Sequence, residues 1–274
     1  MIRTRTVADV AVPKGAQAPS RSARRGLEQA LPALVLALLL LTAWEVGVRA
    51  AGLREIQLPA PSRVVEIGWA QRALIADHAL ATLQVALIGL AAAVSVGAAF
   101  GLLIANWPLA ERAVYPLLVF SQTIPTIAIA PLLVLLFGLG ALPKVIVVAL
   151  VCFFPVTVNL ADGLRGVEPL MVDVMRALGA KPWQVLTKVK LPAALPAFFS
   201  GLKVATTYCV IGAVLGEWIA APKGLGVFML RSFSAGQTAQ AFAGIVAVSL
   251  ITVALFSSVL LLEKLLTGWH YRRA

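Results

Sequence analysis

The apolar residues of this chain come in long runs instead of alternating with polar residues, which is typical of helices that cross a lipid bilayer. Such a helix needs about 20 predominantly apolar residues. Six segments meet this requirement, and they cover about 31–51, 79–106, 113–137, 140–163, 194–221 and 241–267. The pattern therefore predicts an all-α, polytopic membrane bundle of about six transmembrane helices.

The third and fourth predicted spans form a nearly continuous apolar run, which we divide at the turn residues Gly138-Leu139-Gly140. Each proline in a helix removes a backbone donor and bends the helix. These two spans hold several prolines, which are Pro116, Pro125, Pro131, Pro143 and Pro155. Because freed carbonyls need partners in lipid, we expect both helices to lie inside the bundle or to line a wet cavity.

Two other segments carry local signals. On the second predicted span, small residues recur at every fourth position and predict close helix packing; they are Gly89, Ala93, Gly97, Gly101 and Ala105. In the connection 52–77, Ser62 is expected to cap a short helix after a proline-rich break. That helix could lie on the outer membrane surface or serve as a solvated linker.

Composition excludes a soluble domain, because 60% of the residues are hydrophobic and only 13% are charged. The net charge of +11 would suit a nucleic-acid binder, but the six spans argue against one. The basic residues instead predict orientation. Of 23 Lys and Arg, 15 lie on one predicted side, in the tail 1–30, at Arg112, in the connection 164–192 and near the C-terminus. Since basic residues stay preferentially cytoplasmic, both termini are predicted to be inside.

Catalytic and metal-binding chemistry finds little support in the sequence. Cys152 and Cys209 fall within apolar segments, where a cysteine usually serves as a small packing residue and not in a disulfide or a metal site. His78 and His270 lie at segment ends and form no metal-ligand spacing. The spans hold almost no His, Asp or Glu from which a catalytic cluster could be built. We therefore predict no enzyme activity, no bound metal and no cofactor.

The connection 164–192 is the most informative cytoplasmic segment. It predicts two short helices that begin at Pro169 and Pro182, with Gly179 allowing a sharp turn between them. A rigid amphipathic pair of this kind can dock on a soluble partner and transmit its motion. The residues predicted for this coupling role are Glu168, Leu170, Asp173, Val174, Arg176, Ala177, Leu178, Gly179, Ala180, Leu191 and Pro192.

These residues resemble the signature of the binding-protein-dependent importer permeases. That signature is Glu-Ala-Ala, three residues, Gly, nine residues, Ile, one residue and Leu-Pro. Here Asp173-Val174-Met175, Gly179, Val189 and Leu191-Pro192 stand at the matching spacings. The departure is Asp-Val-Met, which keeps the acidic charge but is bulkier.

The resemblance extends over about 56–268. Leu58-Pro59-Ala60-Pro61-Ser62 and Gly224-Leu225-Gly226 are similar to the nitrate, sulfonate and taurine branch. So are the stretches 124–132 and 137–140. Within that branch, the stretches 212–218 and 228–230 are closer to permeases for thiamine-precursor pyrimidines.

The resemblance implies a type I ABC importer permease fold and a set of partners. Two permease subunits, expected to be identical, would enclose one path across the inner membrane. Two cytoplasmic ATP-binding subunits would dock on the 164–192 helices, and an external or lipid-anchored binding protein would deliver the solute. The sequence contains no Gly-x-x-x-x-Gly-Lys-Ser/Thr loop, so ATP would be bound and hydrolysed by another chain.

Polar residues inside the spans are candidates for the translocation path, since ionisable and polar groups in a bilayer are often functional. The predicted path residues are Gln122, Thr123, Asn159, Thr207, Tyr208 and Glu217. For Glu217 the pattern favours the other interpretation, an interfacial residue at the outer membrane surface beside Trp218. Lys203, also inside a span, is expected to extend toward the cytoplasm.

The predicted organisation is a cytoplasmic basic tail at 1–30, a first span at 31–51, a periplasmic connection at 52–77, a core permease domain at 78–268 and a cytoplasmic C-terminus at 269–274. The predicted function is the permease subunit of an ATP-driven importer for a small polar solute. That solute would be a pyrimidine thiamine precursor or an anion such as a sulfonate, taurine or nitrate. The alternative is an ion-coupled secondary transporter or channel, which would require paired intramembrane charges and an inverted repeat.

Overall fold

A computed structural model describes residues 21–268, with the side chains of 31–268 apart from that of Ala220. Residues 1–20 and 269–274, parts of the two predicted cytoplasmic ends, lie outside the described residues. Over the described part the fold is all-helical, as predicted. Its helices are α1 (Arg21–Ala50), α2 (Pro61–Ala70), α3 (Arg72–Asn106), α4 (Pro108–Thr123), α5 (Thr126–Phe137), α6 (Ala141–Arg165), α7 (Pro169–Ala177), α8 (Pro182–Val185), α9 (Leu191–Ala220), α10 (Leu225–Ser234) and α11 (Thr238–Leu266).

The chain divides into two compact units, one ending at Gly52 and the other beginning at Leu53. The first unit contains α1, whose first ten residues belong to the segment predicted as a tail. From Leu31 to Leu41 the side chains of α1 are almost all apolar and are exposed on every side of the helix, as expected for a helix that meets lipid. Near its end, Arg49 forms an ion pair with Glu45 at 2.6 Å.

Five apolar segments are long enough to cross a membrane: Leu31–Ala50, Arg72–Asn106, Ala141–Arg165, Pro182–Ile219 and Thr238–Leu266. They confirm five of the six predicted spans. The fourth of them is longer than predicted, because α8 continues into α9 through a π-helical turn at Leu186–Lys190. The prediction of a second separate short helix at Pro182 is therefore wrong, since that helix is the beginning of the span.

The predicted third span, 113–137, is broken instead of continuous. α4 and α5 meet at an angle of 95°, and the extended residues Ile124 and Pro125 separate them. The residue before a proline is disfavoured in the α region, so Ile124 cannot continue α4. Proline at 125 also removes the backbone donor that the helix would need.

Close packing of α3 on α6 and of α6 on α9 forms the core of the second unit. The small-residue stripe of α3 packs closely on another helix, as predicted, and that helix is α6: Gly97 lies against the Phe153 carbonyl and Val156, and Gly101 lies against Leu160. α9 uses the same device at Gly201, which lies against the Pro155 carbonyl and Asn159 of α6. Glycine at these contacts lets the backbones approach closely, which is how helices pack in lipid.

Two short helices differ from expectation. α2 begins at Pro61 with Ala60 at its N-cap, so the predicted cap at Ser62 is wrong; Pro61 suits the first helical position because it lacks an N–H. α10 was not predicted, because its ten residues are too few for a span. It packs through Leu225, Phe228 and Met229 against Val214 and Ala243.

Candidate coupling and translocation sites

The helix α7 and the turn after it have the predicted form. Pro169 is in the first turn of α7, and Gly179 adopts φ +81, a left-handed conformation that favours glycine. The N–H of Gly179 donates to the carbonyl of Arg176 at 2.9 Å, and that of Ala180 donates to Met175 at 3.0 Å. These bonds satisfy the last carbonyls of the helix and fix the direction of the chain into α8.

α7 has one buried face and one exposed apolar face. Val172 packs with Val167 and Val185, which holds α7 against the start of the α8–α9 helix. The opposite face carries large apolar side chains that no part of the described chain covers: Leu170, Met171, Val174 and Leu178, the last 78% exposed. Asp173 and Arg176 flank this face, and Asp173 Oδ1 lies 3.8 Å from a guanidinium nitrogen of Arg176.

The predicted coupling residues therefore fall into two groups. Those from Glu168 to Gly179 are all exposed, whereas Ala180, Leu191 and Pro192 are partly buried. Leu191 packs against the cluster of Leu160, Leu164 and Ala194. The residues at the end of the signature, Leu191 and Pro192, thus join the coupling segment to the bundle. The coupling residues before Ala180 form its exposed surface.

A cleft of about 440 Å³ lies between α4, α6 and α9, and two of the predicted path residues line it. Gln122 lies at the end of α4, next to the break at Ile124 and Pro125, and Tyr208 lies on α9. The rest of the lining is apolar: Val151, Phe154, Pro155 and Val204. A broken helix next to a cavity between helices is a common setting for solute sites in transporters.

The other predicted path residues do not line this cleft. The hydroxyl of Thr123 donates to the backbone carbonyl of Phe120 at 2.8 Å, and that of Thr207 donates to the backbone carbonyl of Lys203 at 3.2 Å. The amide of Asn159 donates to the carbonyl of Pro155 at 2.8 Å. Each of these bonds stays within one helix, as expected for polar side chains that satisfy helix carbonyls.

Glu217 lies elsewhere, in a buried site where it is only 1% exposed. Its Oε2 accepts a hydrogen bond from the N–H of Gly226 at 2.7 Å. The two preceding residues contact side chains of α3: the Leu225 N–H donates to Thr82 Oγ1 at 2.8 Å, and His78 Nδ1 lies 3.0 Å from the nitrogen and 2.9 Å from the oxygen of Gly224.

We call His78, Thr82 and Glu217 the α10 anchor. A helix N-terminus has N–H groups without helical partners and a partial positive charge, so the acceptors Thr82 and Glu217, together with the His78 contact, hold it in place. The sequence reasoning missed this role, although His78 and Thr82 share a helix face at a spacing of four residues.

An ion pair inside the bundle was also missed. Lys203 Nζ on α9 lies 2.9 Å from Glu263 Oε2 on α11, and the Glu263 side chain is 5% exposed. Lys203 was expected to extend toward the cytoplasm alone. Opposite charges on two predicted spans were the available signal, because a buried charge requires a partner.

Comparisons with known proteins all find transport permeases. Residues 93–268 match the family described as "Binding-protein-dependent transport system inner membrane component". The chain is 38% identical to the formylaminopyrimidine transport permease protein ThiX of Halalkalibacterium halodurans, over 89% of this chain and 98% of that one. It is 35% identical to the riboflavin transport system permease protein RibX of Chloroflexus aurantiacus, over 91% of this chain and 94% of that one.

A third relative is the taurine transport system permease protein TauC of Escherichia coli, 32% identical over 84% of this chain and 86% of that one. Among solved structures, the fold is similar to an inward-facing MetNI methionine ABC transporter. The TM-score is 0.64 at 17% identity, over 72% of this chain and 98% of that one. At this identity the likeness shows the fold alone.

Proposed function

The chain belongs to the binding-protein-dependent transport system inner membrane components, and from this premise we propose that it is the membrane-spanning subunit of an ATP-driven importer. In this role it forms the solute path, while a separate ATP-binding subunit binds and hydrolyses the nucleotide. The chain itself carries out no catalysis and holds no cofactor. The solute is small and polar, either a pyrimidine like those of thiamine precursors or an anion such as a sulfonate, taurine or nitrate.

The observation that carries the proposal is the uncovered face of α7. Leu170, Val174 and Leu178 are apolar and exposed on a helix that a glycine turn and a buried valine cluster hold rigidly. Apolar helix faces of this kind dock in grooves of partner proteins. A motion of the docked partner would pass through Val185 and Leu191 into α9.

We further propose the assembly and its orientation. Two copies of this chain enclose one path, two ATP-binding subunits dock on α7 from the cytoplasm, and a periplasmic or lipid-anchored binding protein delivers solute to the opposite face. The protein lies in the bacterial inner membrane with both ends in the cytoplasm, since most of its basic residues fall on that side. In this arrangement 52–77 is periplasmic, and 78–268 forms the core permease domain, with coupling helices at 164–192.

The docking role can be tested by co-purification of the ATP-binding subunit with tagged permease. Leu178→Asp places a charge at the C-terminal end of the exposed α7 face, on its most exposed side chain, and we expect it to abolish association because the charge would have to be desolvated. Val65→Asp is the matched control, since Val65 is an aliphatic residue on α2 with 70% exposure. Association that persists with Leu178→Asp at the level of the control would contradict docking through α7.

One observation favours the alternative of a secondary transporter. The Lys203–Glu263 pair is an intramembrane pair of the kind that ion-coupled carriers use. Under this alternative, vesicles that contain the chain alone would take up solute when only an ion gradient is applied. Under the importer proposal, uptake requires the ATP-binding subunit and ATP.

A further inference from the structure

The cleft between α4, α6 and α9 is lined by uncharged groups. Among the described residues, its lining contains no Asp, Glu, Lys or Arg. Its largest side chains are the aromatic rings of Phe154 and Tyr208, and its polar side-chain groups are the Tyr208 hydroxyl and the Gln122 amide. A cavity of this size and lining is typical of sites for small organic molecules that combine an apolar body with a few hydrogen-bonding groups.

The backbone of a lining residue also has a carbonyl without its usual helical partner. Pro155 lies inside α6 and has no N–H, so the carbonyl of Val151, four residues earlier, loses its usual helical donor. Both residues line the cleft. A carbonyl without its helical partner attracts a hydrogen-bond donor and repels an anion. It therefore favours a solute that carries N–H or O–H groups.

The intramembrane charges near the cleft are turned away from it. Lys203 precedes Val204 in sequence, yet its ammonium is paired with Glu263 of α11. The buried Glu217 accepts the N–H of Gly226 at the start of α10. Neither of these charged residues lines the cleft, so neither is placed to compensate a charge on a passing solute.

From these observations we infer that the cleft selects a neutral, flat, heteroaromatic solute and excludes inorganic and sulfonate anions. The ring of the solute would lie against Tyr208 and Phe154, and its polar edge would bind the Gln122 amide, the Tyr208 hydroxyl and the Val151 carbonyl. Aromatic side chains stack on the faces of most heterocycles, whichever ring atoms are nitrogen or carbon. The polar groups of the cleft then distinguish solutes by the donors and acceptors at the edge of the ring. An anion would enter a poorly solvating cleft with no cation to pair with. This inference rests on the proposed importer function. Of the two solute classes proposed there, it keeps the pyrimidines and excludes the anions.

The test uses the complete complex of permease, ATP-binding subunit and binding protein, reconstituted in liposomes. Solute retained by the purified binding protein is identified by mass spectrometry, and ATP-dependent uptake is measured for that solute and for taurine and nitrate. We expect the retained and transported solute to be a neutral heteroaromatic compound, with no uptake of either anion. ATP-dependent uptake of taurine or nitrate would overturn the inference but leave the importer function intact. Failure of ATP to drive uptake of the retained solute would instead overturn the importer function.

Variants of the cleft test the named residues. We expect Tyr208→Ala to lower kcat/KM for uptake about tenfold or more, since it removes both the ring and the hydroxyl. Tyr208→Phe keeps the ring and should retain most of the rate. Leu250→Ala is the control, because Leu250 lies on α11, 65% exposed and outside the cleft. Solute affinity of the binding protein is measured in parallel and should not change. Wild-type uptake by Tyr208→Ala would contradict a role for the cleft in selecting the solute.

Discussion

At the residue scale, the α10 anchor links three polar side chains to one helix end. Glu217 is buried, and its Oε2 lies 2.7 Å from the N–H of Gly226. A buried hydrogen bond to a charged acceptor contributes more than a neutral one, and its loss leaves the N–H unsatisfied. Glu217 is therefore better explained as a residue that positions α10 than as a group that faces the solute.

We predict that Glu217→Ala lowers the free energy of unfolding by about 1–3 kcal/mol, because the buried N–H of Gly226 would lose its acceptor. Thermal unfolding of the purified protein in detergent would measure the change. Glu66→Ala serves as control: Glu66 pairs with Arg63 at 2.8 Å, but its side chain is 66% exposed, so little change is expected. Equal melting temperatures for the two variants would argue against the anchor.

The sequence could identify Glu217 as unusual but could not place it. An acidic residue at the end of a predicted span has two ordinary explanations, an interfacial position and a path position. The structure gives a third, because α3 and α9 are adjacent and bring His78 and Thr82 to the same helix end. Contacts between residues about 140 positions apart depend on helix packing, which apolar patterning does not encode.

At the scale of elements, the contact between α3 and α6 depends on glycine. A Cβ added at Gly97 would lie 2.9 Å from the carbonyl of Phe153 and 3.0 Å from Cβ of Val156, so the helices would have to separate. We predict that Gly97→Ala destabilises the protein by about 1–3 kcal/mol. Gly47→Ala on α1 is the control, since a Cβ there meets nothing within 4 Å. Thermal unfolding of both variants would reveal the difference, and a Gly97→Ala protein as stable as the control would contradict close packing.

The ion pair between α9 and α11 gives a second prediction at this scale. Lys203→Met leaves the carboxylate of Glu263 buried without its partner, and we expect a loss of about 3–5 kcal/mol. The double variant Lys203→Met with Glu263→Met removes both charges, so most of the stability should return. Folded yield and melting temperature measure both. A double variant no more stable than Lys203→Met would contradict the pairing.

The apolar pattern predicted five spans correctly because the chain stays helical through each predicted apolar run. It failed where a run is apolar but bent: 113–137 has enough apolar residues for one helix, yet Ile124 and Pro125 divide it at 95°. Within the coupling segment, α7 and the turn after it were predicted well for a different reason. Pro169 and Gly179 are local signals whose conformations depend on the backbone itself, and the structure contains both as expected.

At the scale of the whole molecule, the broken pair α4–α5 decides how many times the chain crosses the membrane. Leu118 of α4 packs with Ala161 near the end of α6, whereas Leu133 of α5 packs with Val147 near its beginning. The two α6 positions are about 21 Å apart along the helix axis. The pair therefore runs from one end of α6 to the other, which favours a crossing over a re-entrant loop and a total of six crossings.

The distribution of basic residues agrees with six crossings. In that topology 15 Lys and Arg lie on the side of the N-terminal tail and seven on the other, with Lys203 inside the membrane. If α4 and α5 returned to the side they came from, every later segment would change sides. The eight basic residues of 164–192 and the C-terminus would leave the tail side, and Lys144, Lys223 and Arg231 would join it, giving ten against twelve. Only the first distribution has the asymmetry that orients membrane proteins.

Single cysteines at two exposed positions would distinguish the two topologies. Cys152 and Cys209 are both buried, so a membrane-impermeant maleimide should leave them unlabelled in intact vesicles. Val65→Cys on α2 and Leu178→Cys after α7 are 70% and 78% exposed in the wild-type positions. With six crossings they lie on opposite sides, so Val65→Cys should react only in right-side-out vesicles and Leu178→Cys only in inside-out vesicles. Labelling of both from the same side would mean that α4 and α5 do not cross. It would also remove α7 from the cytoplasm, where the ATP-binding subunit would have to reach it.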